Sequence, residues 1–221
     1  MDGYKQIVEK WYREQEVVGV GTGRTVKEIM RHLGPLLAAS SSKVVGTSIT
    51  TNLLLASHGV TPSMMECVSK IDLYFDGADY VDDEGYIVKG HGGAISLERI
   101  AIYSSATTIL VVQKSKRVKT LDGLFVPVEL LKECLSIFIS HLCARGARYK
   151  IKTTEHSAVY VTDNRNIIVD IEYNRNLLKE LERIPGVVSH GFIEPAQNIK
   201  VYVVDRDVDG GEDSGERKEA E

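Results

Sequence analysis

Apolar side chains at Tyr4, Ile7, Val8, Trp11 and Tyr12 recur at the spacing of one helix face, which predicts a helix over residues 4–14. A short unbroken apolar run at 17–20 follows, the mark of a buried strand, and leads into Gly21-Thr22-Gly23-Arg24-Thr25. From Thr25 the pattern is helical to about Leu33, where Gly34-Pro35 is expected to stop it. The same order then repeats. A strand at 43–46 meets the hydroxyl-rich stretch 47–51, which offers several N-caps for a helix over 51–57, and Gly59 is placed to end that helix in a left-handed conformation. Strands at 71–75 and 108–112 flank a helix at about 96–104. Near-continuous apolar strands alternating with helices predict an open, mostly parallel, Rossmann-like α/β sheet with helices on both faces.

Past residue 123 the rhythm changes. A strand at 124–128 contains Pro127, which favours an edge or end position. An amphipathic helix is expected over 129–145, closed by Gly146. A hairpin is expected from 159–162 and 167–171 around Asp163-Asn164-Arg165-Asn166, then a helix at 177–183, a strand at 187–193 and a last strand at 200–204. This is an α+β, ferredoxin-like pattern. The expected organisation is a catalytic α/β domain of residues 1–124 and about 197–207, a small α+β domain at 125–196, and a tail at 208–221.

Charge adds to this picture chiefly at the end of the chain. The net charge is −4, and residues 205–221 hold eight acids against three bases, so the body is close to neutral and carries no basic surface for nucleic acid. From Gly210 onward the tail lacks large apolar side chains and is expected to be disordered. No apolar run is long enough to span a bilayer, and the first residues lack the layout of a secretory signal, so a cytoplasmic protein without membrane contact is expected. Cys67, Cys134 and Cys143 form no C-x-x-C pair and read as free thiols. The histidines are isolated, so no metal site is expected, and no G-x-S-x-G elbow supports a serine hydrolase.

Candidate chemistry concentrates in residues 75–100. Asp76 and Asp79 sit on a turn with Gly77 and Ala78 at the end of an apolar strand; Lys89, Gly90, His91, Gly92 and Gly93 follow, then Glu98 early in a helix. Acids at strand ends commonly cap helices or face water. Here a lysine and a glycine cluster close by suit a site where backbone approaches a ligand. His91 reads either as a proton-transfer group or as loop filler. The Thr22–Thr25 turn has the free N–H groups and flexible Gly23 that suit a phosphate, yet it could equally be a structural tight turn. Arg24 could bind that phosphate or point to solvent, and Lys116 could recognise an anion or lie on an exposed face.

The ordered set Val18-Gly19-Val20-Gly21-Thr22-Gly23 with Thr25, Thr47-Ser48, Asp76-Gly77-Ala78-Asp79, Lys89-Gly90 with Gly92 and Glu98, Ser115-Lys116, Pro127-Val128-Glu129, Val161-Thr162-Asp163-Asn164 and Pro185-Gly186-Val187-Val188 resembles the A-type ribose-5-phosphate isomerases. The resemblance covers all but the acidic tail. It implies an aldose–ketose isomerase that interconverts ribose 5-phosphate and ribulose 5-phosphate through an enediolate, without metal or organic cofactor. Glu98 would then be the general base, and Asp76, Asp79 and Lys89 would handle the sugar hydroxyls and the developing oxyanion. Thr22, Gly23, Arg24, Thr25, Gly77, Ala78, Gly90, His91, Gly92 and Lys116 would contact phosphate and sugar. A small sugar phosphate is the implied partner, and a homodimer or homotetramer the implied assembly. This sequence departs from the family's usual pattern at Arg24 (Ser), Tyr80 (Glu), His91 (Gly), Leu97 (Arg) and Gln113 (acidic). Two other functions fit the same motifs less fully: another sugar-phosphate isomerase or deaminase of related fold, and a non-catalytic sugar-phosphate sensor.

Overall fold

Residues 2–205 are described by the computed structural model, so the tail expected over 208–221 lies outside the described residues. The chain opens with α1 (Gly3–Trp11), whose N-cap Asp2 accepts a hydrogen bond from Tyr4 N at 3.1 Å and whose Tyr4, Ile7 and Val8 turn inward. Next come β1 (Val17–Val20), α2 (Arg24–Ala38), β2 (Lys43–Gly46), α3 (Ile49–Ser57) and the very short β3 (Pro62–Ser63). β4 (Ile71–Gly77), β5 (Tyr80–Val81), β6 (Ile87–Val88), α4 (Ile95–Ser104) and β7 (Ser105–Gln113) follow. The remainder comprises β8 (Phe125–Leu130), α5 (Leu135–Cys143), β9 (Tyr149–Ile151), β10 (Ile167–Glu172), α6 (Arg175–Leu181), β11 (Val187–His190), β12 (Phe192–Ile193) and β13 (Ile199–Val204).

Six strands form one sheet in the order β13-β7-β4-β1-β2-β3, every neighbouring pair parallel. Its central strands are buried along their length, as their apolar runs require. α1 and α2 cover one face, packing on Val18, Val20, Leu73 and Phe75. On the other face α4 lays Ala101 and Ile102 against Val17, Val45 and Tyr74. The last strand, β13, returns to pair with β7.

The stretch β8–α5–β9–β10–α6–β11 builds a four-stranded antiparallel sheet in the order β11-β8-β10-β9, the ferredoxin-like β-α-β-β-α-β arrangement. Val126, Val128 and Leu130 meet Phe138, Leu142, Leu178 and Leu181 in its core. A third, small sheet joins β12, β6 and β5.

Several elements differ from the sequence pattern. α2 does not stop at Gly34-Pro35 but runs to Ala38. A proline inside a helix costs about 3 kcal/mol, and here Leu33 and Leu37 on either side of it share one buried seam that offsets the cost. The helix expected from 129 begins only at Leu135, because Val126, Val128 and Leu130 alternate into the core and extend β8 through Glu129 to Leu130. Of the expected hairpin, the turn survives, but only the single bridge Val161–Ile167 joins its arms. β10 pairs instead with β8 and with β9, a strand the pattern did not suggest. The run 187–193 is split at Gly191 between two sheets. A Cβ at Gly191 would lie 1.8 Å from the Lys89 carbonyl oxygen, and Lys89 N donates to the Gly191 carbonyl at 2.8 Å.

Candidate active site

The C-terminal ends of β1, β2, β4 and β7 lie on one edge of the parallel sheet, where ligands of open α/β sheets bind. There the turn after β1 and the carboxylate near the end of β4 touch: a Cβ on Gly21 would fall 1.9 Å from Asp76 Cγ. Only glycine fits this approach. α2 has Gly23 as its N-cap with no side-chain hydrogen bond, so its first N–H groups remain free beside Arg24 and Thr25. Behind this turn Thr22 Oγ1 lies 2.9–3.0 Å from the hydroxyls of Thr47, Ser48 and Thr51, which locks the turn onto the start of α3.

The centre of the site is a fully buried charge cluster. Lys89 Nζ lies 2.7 Å from Asp76 Oδ2 and 3.3 Å from Glu98 Oε2, and donates to the Gly77 carbonyl at 2.7 Å. Asp76 also accepts from Gly77 N at 2.7 Å and from the Tyr74 hydroxyl. Burial would lower the Lys89 pKa, but Asp76 and Glu98 beside it outweigh burial and hold it above its ordinary value. One lysine cannot neutralise two buried carboxylates, and Glu98 shows the consequence. Burial, against the pull of Lys89 and with the push of Asp76 and Asp79, raises its pKa to about 8. Glu98 Oε2 is buried within ion-pair distance of Lys89 Nζ. Burial pushes the Tyr74 hydroxyl well above its ordinary value, and the negative charge of Asp76 and Glu98 adds to the shift. Tyr74 therefore remains a neutral donor.

In front of this cluster lies a cavity of about 320 Å³ lined by Thr22, Gly23, Arg24, Thr25, Gly77, Ala78, Asp79, Lys89, Gly90, His91, Gly92, Glu98 and Lys116. Every candidate residue of the sequence reading lines it except Asp76, which sits behind Lys89 with no exposed surface. Asp79 Oδ2 accepts from His91 N at 2.9 Å and lies 3.6 Å from His91 Nδ1. Lys116 Nζ donates to the Ala78 carbonyl at 3.0 Å; burial lowers its pKa, Asp79 opposes that, and Arg24 adds to the lowering. The glycine loop is held from the four-stranded sheet: Lys152 Nζ donates to the His91 carbonyl at 2.9 Å, and Gly93, at φ +89°, lies against the Tyr160 ring. Larger hollows lie behind α4 around Tyr103 and His190, but Arg99 there is already committed to His190 and Glu182, and Lys179 lies 4.0 Å from Glu194. Tyr74, Lys152 and Tyr160 are missing from the sequence reading as site residues, whereas the hydroxyls behind Thr22 fall in the stretch 47–51 that it reads as N-caps. No local signal marks those three, because each reaches the site across a fold contact. Among the described residues no three His, Cys, Asp or Glu side chains are placed to hold a metal ion, and no helix is long and apolar enough to cross a membrane.

A parallel sheet carrying a buried acid–lysine–acid cluster beside an open turn that bears Arg24 fits an enzyme of the sugar-phosphate isomerase class. Residues 43–207 match the family model of ribose 5-phosphate isomerase A (phosphoriboisomerase A), and the chain belongs to that family. It is 35% identical over 196 residues to probable ribose-5-phosphate isomerase 1 of Arabidopsis thaliana, spanning 80% of this chain and 73% of that protein. It is 30% identical to ribose-5-phosphate isomerase A of Pyrococcus horikoshii, across 87% of this chain and 88% of the relative. A solved D-ribose-5-phosphate isomerase in complex with phospho-erythronic acid superposes with a TM-score of 0.82 at 29% identity, covering 92% of this chain and 93% of the other.

Proposed function

We propose that the chain interconverts D-ribose 5-phosphate and D-ribulose 5-phosphate through an enediolate, with Glu98 as general base and without a metal. The observation that carries this reading is Glu98 itself: a buried carboxylate with pKa about 8, facing the cavity beside a lysine that is held charged. A base works best with its pKa near the working pH. Glu98 takes the proton from C2 of the open-chain aldose and returns it to C1. As the C1 carbonyl oxygen gains negative charge, Lys89 stabilises it, and O1 gains a proton while O2 loses one. Asp79, a quarter exposed at the cavity wall, is placed to accept from a sugar hydroxyl. Asp76 acts one step back, fixing Lys89 and keeping it charged. The free N–H groups of α2 with Arg24 and Lys116 would hold the phosphate. The phospho-erythronic acid bound to the similar isomerase supports this assignment, since a planar carboxylate two oxygens wide imitates an enediolate.

We assign the protein to the cytoplasm, as a homodimer or homotetramer. The deciding experiment measures ribulose 5-phosphate formation by wild type and Glu98→Gln with a chelator present. Wild-type turnover unaffected by chelation and abolished in Glu98→Gln is expected. Turnover surviving in Glu98→Gln rejects the base, and loss on chelation rejects the metal-free reaction.

A further inference from the structure

Glu129 lines no part of the cavity, yet it is the best-satisfied buried acid of the four-stranded sheet. It is 1% exposed on β8, and four neutral donors converge on it. Its Oε2 accepts from Ser96 N at 3.2 Å and from the Ser96 hydroxyl; its Oε1 accepts from Thr162 Oγ1 and from Asn166 Nδ2, both at 2.9 Å. Burying a carboxylate is costly unless its lone pairs are filled, and here each oxygen takes two donors. Ser96 is the second residue of α4, whose own N-cap, Ala94, has no side chain to offer. Glu129 therefore caps α4 from a distant part of the chain, adding a negative charge where a helix N-terminus favours one. Glu98 follows within the same turn, and its N–H closes the first helical bond, to Ala94 O at 2.9 Å. The turn that supplies Thr162 and Asn166 reaches a second helix as well: Asp163 Oδ2 accepts from Ile49 N at 2.8 Å, at the start of α3.

We propose that Glu129, held by Thr162 and Asn166, is a positioning residue of the isomerase, clasping the first turn of α4 so that the Glu98 carboxylate stands at its reacting place. This rests on Glu98 being the base. A base misplaced by about 1 Å loses roughly 100-fold in rate. The phosphate-side groups Thr22 to Thr25 sit on other elements and are reached from this turn only indirectly, through Asp163 and the start of α3, so kcat is expected to fall much further than KM rises.

The test is steady-state kinetics with ribose 5-phosphate on Glu129→Gln, Thr162→Val, Thr162→Ser and Leu181→Ala, with thermal midpoints and kcat/KM recorded from pH 5.5 to 9.5. Glu129→Gln and Thr162→Val are expected to lower kcat by about 10- to 100-fold with KM within about twofold. In both, the acid limb moves toward the ordinary carboxylate range, as water reaches a loosened Glu98. Thr162→Ser keeps its donor and retains kcat. Leu181→Ala, which opens the core of the four-stranded sheet, lowers the thermal midpoint without lowering kcat. If Glu129→Gln does not fold, Thr162→Val decides. Wild-type kcat in Thr162→Val, a KM that rises as far as kcat falls, or an equal kcat loss in Leu181→Ala overturns the proposal. Glu98→Gln run alongside separates the two readings: its retained turnover removes the base, whereas its inactivity beside a fully active Thr162→Val removes only the clasp.

Discussion

Titrating the rate is the most direct probe of the charge cluster. Lys89 lies between Asp76 and Glu98, and burial leaves Glu98 with a pKa of about 8 instead of the ordinary 4.5. Only the ionised form accepts a proton, so about one enzyme in eleven is competent at pH 7 and about ten in eleven at pH 9. kcat/KM for ribose 5-phosphate is therefore expected to rise roughly tenfold between those pH values, and to fall about tenfold per unit below pH 7. With an ordinary carboxylate the same interval would be flat. The substrate phosphate titrates near pH 6 and adds its own limb, so the assignment needs a second arm. Lys89 pulls the Glu98 pKa down, and Lys89→Met should move the limb upward while reducing the rate. A limb of purely phosphate origin would stay in place. The assay is initial-rate ribulose 5-phosphate formation from pH 5.5 to 9.5, with long incubations for the slow variant. A profile flat from pH 7 to 9, or a limb that fails to rise in Lys89→Met, refutes the reasoning.

Arg24→Ser should raise KM about tenfold with little change in kcat, the loss of one exposed charge-assisted contact to phosphate; an unchanged KM sinks that contact. Tyr74→Phe removes a buried donor from Asp76 and should cost roughly 1–3 kcal/mol in urea unfolding, with a wild-type midpoint counting against it. Glu98→Gln should gain stability relative to wild type as pH rises. The folded pKa of Glu98 lies above its unfolded value, so its contribution is complete below about pH 4.5 and lost as pH climbs through about 8. Thermal midpoints of the two proteins at pH 5 and pH 9 test this, and a gap that does not widen in favour of the variant contradicts it.

How much of this is legible in the chain depends on the range of the contact involved. β1, β2, β4 and β7 are readable because strands buried on both faces leave unbroken apolar runs, and the groups at their ends follow from that order. Lys89 and Glu98 stand out because an ionisable residue so near glycines and acids is locally conspicuous. Tyr74 is not: inside Ile71-Asp72-Leu73-Tyr74-Phe75 it reads as one more strand residue, and only the pleat, two residues apart on one face, brings its hydroxyl to Asp76. Glu129 reads as the start of a helix surface until Leu130 is seen in the core, and its partners come from 33 or more positions away in either direction. Pro35 misleads for a related reason. A local penalty is visible in sequence, whereas the buried seam that outweighs it is not.

The return of β13 to the edge of the parallel sheet has a consequence for synthesis. Residues 199–204 must leave the ribosome before β7 gains its second neighbour. Until then the nine-residue strand Ser105–Gln113 presents an open row of backbone donors and acceptors, with Ile109 to Val112 all apolar. Unpaired apolar edges of this kind recruit other chains. In this topology the whole ferredoxin-like stretch is made during that interval, so slowed translation between residues 125 and 198 lengthens the exposure and favours aggregation of the nascent chain.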